Sequence, residues 1–377
     1  MFKKQNFFFF IICLISFHTL TAKEYQISSA AELAALDLKP GDKIVMKDGD
    51  WSSQNLVFKA SGTKDLPITL RAATPGKVIM KGQSTLLIEG DWLIVEGLKF
   101  TDGYPTKGNV ITFSEKSSNC RLTNAAIIDY NHPQTKAIFN FWIIVYGIQN
   151  QVDHCLLKGK TTRGATLGVN IGEKPNYHRI DHNYFAHRPD VKSNGGETIR
   201  IGTDKWSMHD SYTTVEDNIF EHCDGEIEII SNKSGHNTIR NNLFYESKGT
   251  LTLRHGNFAN VYGNYFIGNG VEGTGGIRII GENHKIYENY FSGLTGTGVK
   301  AVFAITNAWE NPPLHGYWQV KNVEISENTV VNCGDVFTVG AGKNEKTFIA
   351  PQNVLISNNT LSDNGSLFTW LEKDATL

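Results

Sequence analysis

The sequence predicts an all-β chain: a single domain wound as a right-handed parallel β-helix, a solenoid with a short N-terminal capping helix. Three observations predict it. A short motif, apolar-x-x-Asn-x-apolar, recurs between residues 180 and 361. The segments around it are rich in β-branched and aromatic residues and carry no helical period. Finally, 377 residues is long for one compact core, yet no Pro/Ser-rich linker divides the chain. A stack of coils takes up that length as one elongated domain.

The first 22 residues carry Lys3 and Lys4, an apolar run from Phe7 to Phe17, and then Leu20-Thr21-Ala22. These are the three parts of a secretory signal peptide. The run is shorter than the ~20 residues a membrane span requires, so no stable membrane insertion is expected. Residues 1–22 are expected to be removed, leaving 23–377 as an exported domain, periplasmic or secreted. Ser29-Ala30-Ala31-Glu32 has the spacing of a capping box and opens a short helix ending near Leu36. Pro40-Gly41 and Asp48-Gly49 are turns on either side of Lys43-Ile44-Val45-Met46.

From Leu93 onward the chain repeats. The motif asparagines are Asn183, Asn218, Asn242, Asn264, Asn289, Asn328 and Asn359, separated by 35, 24, 22, 25, 39 and 31 residues. A basic period near 22–25 with longer insertions marks a solenoid, and short strands without helices select a β-helix. Asn is expected at the coil corner because it tolerates left-handed backbone and can bond its neighbours' backbone along the stack. The Phe and Tyr two positions later are expected to fill the core.

The formal net charge of −2 argues against nucleic acid as a partner. Cys120, Cys155, Cys223 and Cys333 match no zinc spacing, and each sits beside an apolar-rich stretch. They are expected as buried free thiols.

Chemistry concentrates in Gly225–Asn257. Glu226-Ile227-Glu228-Ile229 alternates strictly, so on a strand both carboxylates share a face, about 6.6 Å apart. They repel unless a cation lies between them or one keeps a proton. Aligned on inward apolar residues, Arg200, Glu228, Arg254 and Arg278 fall into one outward column, about 4.8 Å per coil. Lys233 lies beside it, and Asn194-Gly195-Gly196-Glu197 precedes it with an amide oxygen. Oxygen ligands from Asn194, Glu226 and Glu228 suit a hard cation such as Ca²⁺. Arginines, a lysine and a cation together suit a cleft for a polyanion. Arg200 and Arg278 are candidates for substrate carboxylates through paired hydrogen bonds. His255 is the next proton carrier in reach. Trp142 and Tyr146 either stack on sugar rings or pack in the core.

At these residues the chain resembles polysaccharide lyase family six, which contains alginate lyases and the dermatan-sulfate-degrading chondroitinase B. The segments that carry the resemblance are Val152-Asp153-His154-Cys155, Asn194 to Gly202, Glu226-x-Glu228 with Lys233, and Arg254-His255-Gly256-Asn257. The resemblance implies that Asn194, Glu226 and Glu228 hold calcium, that Lys233 acts as base, and that Arg254 acts as acid. The expected partner is an anionic polysaccharide. Alginate is favoured over dermatan sulfate because no extra basic cluster for sulfate is conspicuous. One departure is Lys192-Ser193, where the family carries a basic residue directly before the Asn-Gly-Gly-Glu turn. A glycoside hydrolase on the same fold and a non-catalytic carbohydrate-binding β-helix are the rival readings.

Overall fold

The computed structural model describes residues 22–135 and 137–377. The expected signal peptide, residues 1–22, lies outside them apart from Ala22. Among the described residues three parallel sheets of 13, 12 and 12 strands run the length of the molecule. Within each sheet, neighbouring strands are one coil apart in sequence. This is a right-handed parallel β-helix, as the repeat predicts. No helix among these residues is long and apolar enough to cross a membrane.

The capping helix is Ala30–Ala34, ending at Ala34 rather than near Leu36. Ser29 Oγ accepts from the Glu32 amide at 3.2 Å. The Glu32 carboxylate turns instead to Ser28, whose N–H (2.8 Å) and hydroxyl (2.9 Å) both donate to it. Half of the capping box is therefore shifted by one residue, to Ser28.

The core is built of stacked identical positions. Phe185, Phe220, Phe244, Phe266 and Phe291 lie two residues after successive motif asparagines, with ring centroids 5.0, 4.8, 4.4 and 4.7 Å apart. The tyrosines do not join them. Tyr184, Tyr265 and Tyr290 come one residue after the asparagine, so strand alternation turns them outward.

The asparagines form a buried ladder. From Asn218 onward each Oδ1 accepts from both the backbone N–H and the side-chain amide of the asparagine one coil earlier, as Asn242 does from Asn218 at 3.0 and 3.0 Å. Their own backbone is not left-handed, contrary to expectation. The positive φ belongs to the preceding residue: His182 (54°), Asp217 (55°), Asn241 (55°), Glu288 (53°) and Glu327 (57°). The corner bends one position early, and the asparagine is retained for its hydrogen bonds. Asn242→Ala leaves the buried backbone N–H of Asn218 without an acceptor, while the Asn218 amide keeps Ile180 O and Glu216 O. It is expected to cost about 2 kcal/mol, at about 1–3 kcal/mol for an unsatisfied group. Chemical denaturation checks this, and a change within about 0.5 kcal/mol, the scatter of an ordinary surface substitution, would make the ladder a bystander. The four cysteines are free and buried, as expected.

The strands around the candidate site depart from simple alternation. The strand starts at Glu228 and runs to Lys233, with bulges between Glu228 and Ile230 and between Asn232 and Lys233. Ile230, not Ile229, takes the core position between Ile199 and Leu251, and Ile227 is half-exposed. The outward column is therefore Arg200–Ser231–Thr252–Arg278. Glu228 and Arg254 flank it rather than belong to it. A bulge sets two residues against one and re-aims the side chains beyond it, which fixed-period alignment misses.

Candidate active site

The site begins with two glycines in contact. A Cβ on Gly196 would lie 2.2 Å from the Gly225 carbonyl, and one on Gly225 would lie 2.1 Å from the Gly196 carbonyl. Only glycine allows these two turns to press together. Each is followed by a glutamate, so the contact brings Glu197 and Glu226 onto adjacent coils.

Carboxylate oxygens of Glu197, Glu226 and Glu228 lie within 4.8 Å of one another. Glu197 is 3% exposed, and its Oε2 has no hydrogen-bond partner. The Glu226 carboxyl is pushed up to about 8, chiefly by burial and then by the charges of Glu197 and Glu228. Ser231 Oγ donates to Glu228. Three crowded carboxylates, one with an unpartnered buried oxygen, make an all-oxygen donor set that fits a hard cation. Glu197 is the member that sequence reasoning missed. Its signal was the Gly-Glu pair at 196–197 recurring at 225–226, close to one coil later. Asn194 lies three residues before it with an exposed side chain, and its carbonyl accepts from Arg163 Nε at 3.1 Å.

Lys233 stands on the same outward face, with Nζ 3.4 Å from Asp204 Oδ1. Asp204 opens a short 3-10 turn, Asp204–Trp206, in the coil before. Burial opposes its ionisation, but Lys233, by charge and hydrogen bond, and Arg254 outweigh that and hold it below the ordinary range. His255 is opposite Lys233 in register and 1% exposed. Its Nε2 lies 3.5 Å from Asp204 Oδ1. Burial, and then Arg254 and Lys233, push the imidazole down to about 3, so it is neutral at working pH. His255 sits beneath Lys233 rather than in the open cleft.

Arg254 Nε is 3.8 Å from Glu228 Oε1. Its other nitrogens donate to Gly316 O and His315 O, both at 3.0 Å. Arg278 donates to the Tyr317 hydroxyl at 2.9 Å. The Tyr317 ring lies 4.3 Å from the Arg254 guanidinium and 5.3 Å from that of Arg278. These partners belong to the loop 307–320, which reaches back to Ser207, whose hydroxyl donates to Leu314 O at 3.0 Å. The loop thus roofs several coils and orders both arginines. Asp204 and Tyr317 carried no sequence signal, because they lie in insertions outside the repeat.

Arg200 stacks on Phe141 at 4.8 Å and leaves a buried Nε unpartnered. Tyr146 packs on Phe141, Ile144 and Ala165 and lines a cavity of about 670 Å³ with Lys205 and Trp206. Trp142 is a core residue, fully buried, with Nε1 donating to Tyr130 O at 2.9 Å. Lys192 is paired with Asp190 at 2.8 Å.

The family model for chondroitinase B matches residues 27–368. The PL6 family alginate lyase AlyGC is 44% identical over 88% of this chain, with a TM-score of 0.86. The match covers 47% of AlyGC, so the chain spans about half that protein's length. A mannuronic acid specific family 6 lyase from human gut microbiota is 35% identical over 90% of this chain and 82% of its own, with a TM-score of 0.79. The PL6 family polysaccharide lyase Pedsa3628 from Pseudopedobacter saltans is 28% identical, covering 91% of this chain and 92% of its own, with a TM-score of 0.78. Among curated proteins no match is found. With the family model matched over residues 27–368 and relatives 44% and 35% identical over most of the chain, the chain belongs to polysaccharide lyase family six.

Proposed function

We propose that this chain is a calcium-dependent lyase that cleaves a uronate-containing polysaccharide, alginate before dermatan sulfate, by β-elimination. The observation that carries the proposal is the meeting of three carboxylates with Lys233 and Arg254 on one face. Glu197, Glu226 and Glu228 would hold the cation, with Asn194 in the same turn as Glu197. When bound there, Ca²⁺ supplies Lewis-acid neutralisation of the uronate carboxylate, which makes the proton at C5 removable.

The protein's own groups do the rest. Lys233 takes the C5 proton, and Asp204 and the neutral imidazole of His255 fix its position. Arg254, always charged, stabilises the departing O4 and holds the water that protonates it, while the proton taken from C5 by Lys233 returns to solvent. Arg278 and Arg200 bind the carboxylates of neighbouring sugars, each offering a guanidinium with an unpartnered buried Nε. Tyr146 offers its exposed edge to a sugar ring. Export is part of the proposal, because the polymer lies outside the cell and residues 1–22 read as a signal peptide.

Alginate takes precedence because the solved structures this chain resembles include named alginate lyases. A hydrolase would need two carboxylates about 5–9.5 Å apart across the bond and no cation, whereas here three crowd together in a donor set that fits a cation, and chelation separates the two readings.

The decisive assay follows the absorbance of unsaturated uronate ends from alginate and from dermatan sulfate. Product from alginate is expected, and silence with both polymers would remove the enzyme assignment. A second expectation concerns protons. At pH 7 the carboxyl of Glu226, pushed up to about 8, keeps its proton in the metal-free protein. Calcium binding should release it, so calorimetric heats at pH 7 should vary with the ionisation enthalpy of the buffer, and affinity should rise between pH 6 and 8. Heats that are independent of buffer would contradict this.

A further inference from the structure

Two arginines stand behind the turn that abuts Glu226 without pairing with its carboxylate. A Cβ on Gly196 would lie 2.2 Å from Gly225 O and 3.0 Å from Glu226 N, and the N–H groups of Gly195 and Gly196 favour the ionised Glu226 carboxylate. The carbonyl at the other end of each of those peptide units accepts from an arginine. Asn194 O takes Arg163 Nε at 3.1 Å, and Gly195 O takes Arg188 Nη2 at 3.2 Å. A donor on the carbonyl polarises a peptide unit and strengthens its N–H as a donor.

Arg188 is otherwise hard to account for. It is 2% exposed, and its hydrogen bonds all run to main-chain carbonyls. Besides Gly195 O these are Gly196 O (2.6 Å), Lys160 O (3.1 Å), Thr162 O (3.3 Å) and Gly164 O (2.9 Å). Among the described residues it makes no ion pair. A buried guanidinium without a carboxylate partner is costly, and the carboxylates it feels are Glu197 and Glu226, across the turn. It also touches the glycine contact itself, since a Cβ on Gly225 would lie 2.8 Å from its Nε.

We propose that Arg163 and Arg188 are positioning residues for the cation site, each drawing on a carbonyl of the 194–196 turn so that its N–H groups aim at Glu226. The inference rests on reading the carboxylate cluster as a cation site. Neither arginine contacts substrate or reacting atoms.

The test is calcium calorimetry on native protein, Arg163→Met and Arg188→Lys, with thermal unfolding of each in chelator. Partners that orient metal ligands typically contribute about 10–100-fold in affinity, so each variant should bind calcium about tenfold or more weakly. Arg163 is only half-buried, so Arg163→Met should unfold in chelator at the native temperature. At saturating calcium its KM for alginate should return to the native value. Native calcium affinity in Arg163→Met, or native affinity with a lowered kcat, would overturn the proposal, even if Arg188→Lys fails to fold. Absence of calcium binding by the native protein would instead overturn the underlying reading of the site.

Discussion

Lys233→Ala should lower kcat/KM on alginate by about 10³, within the 10²–10⁴ range of a positioned general base. That is roughly 4 kcal/mol of lost transition-state stabilisation, at about 1.36 kcal/mol per factor of ten. The fold should be unaffected, because Lys233 faces outward and its one polar contact is Asp204. Its removal leaves His255 beside Asp204, an arrangement already present. Calcium affinity should stay near native, since Lys233 is not among the three carboxylates or their hydrogen-bond partners. Steady-state rates of unsaturated product and a calcium titration of the same variant check both halves. A variant that keeps a tenth of native activity would remove Lys233 as the base.

Chelation should silence the protein altogether, a loss on the order of 10³-fold or more given several kcal/mol of charge stabilisation. Added calcium should restore activity in full. Glu228→Gln should mimic the chelator without being rescued at low calcium. Just above neutrality the pH behaviour of the metal-free protein turns on Glu226. Its folded value is raised from 4.5 to about 8, so the fold prefers the protonated form. That contribution is fully present below about pH 4.5 and is lost as pH rises toward 8. Between pH 6.5 and 8, above the range in which unfolding protonates the buried imidazoles of His178, His255 and His284, the chelated protein should therefore unfold at falling temperatures, and saturating calcium should flatten the trend. A hydrolase would keep its activity in chelator, and a binding module would release no product in any condition.

The solenoid was legible because its signal is periodic. Asparagines at one-coil spacing, each with phenylalanine two residues on, specify both a ladder and a core column. The corner was misplaced by one residue because the left-handed position holds His182, Asp217, Asn241, Gly263 and Glu288 in turn. No single residue type marks it, whereas the asparagine beside it is invariant from coil to coil. The charged residues of the site were also legible, but their register was not. Two bulges in one strand shift Glu228 and Lys233 relative to the neighbouring coil, and a bulge leaves no composition mark at Ile229 or Asn232. Asp204 and Tyr317 were invisible for another reason. They come from insertions whose contacts reach 29 and 39 residues along the chain, to Lys233 and Arg278, and insertions obey no repeat.

On the proposed reading, Glu197, Glu226 and Glu228 converge because a divalent ion belongs among them. Crystals of Lys233→Ala grown with calcium and an alginate oligosaccharide test this most directly. The expected map shows a single strong peak touched by all three carboxylates and by one sugar carboxylate. Carboxylates hydrogen-bonded to each other through a retained proton, with the ion elsewhere or absent, would contradict it.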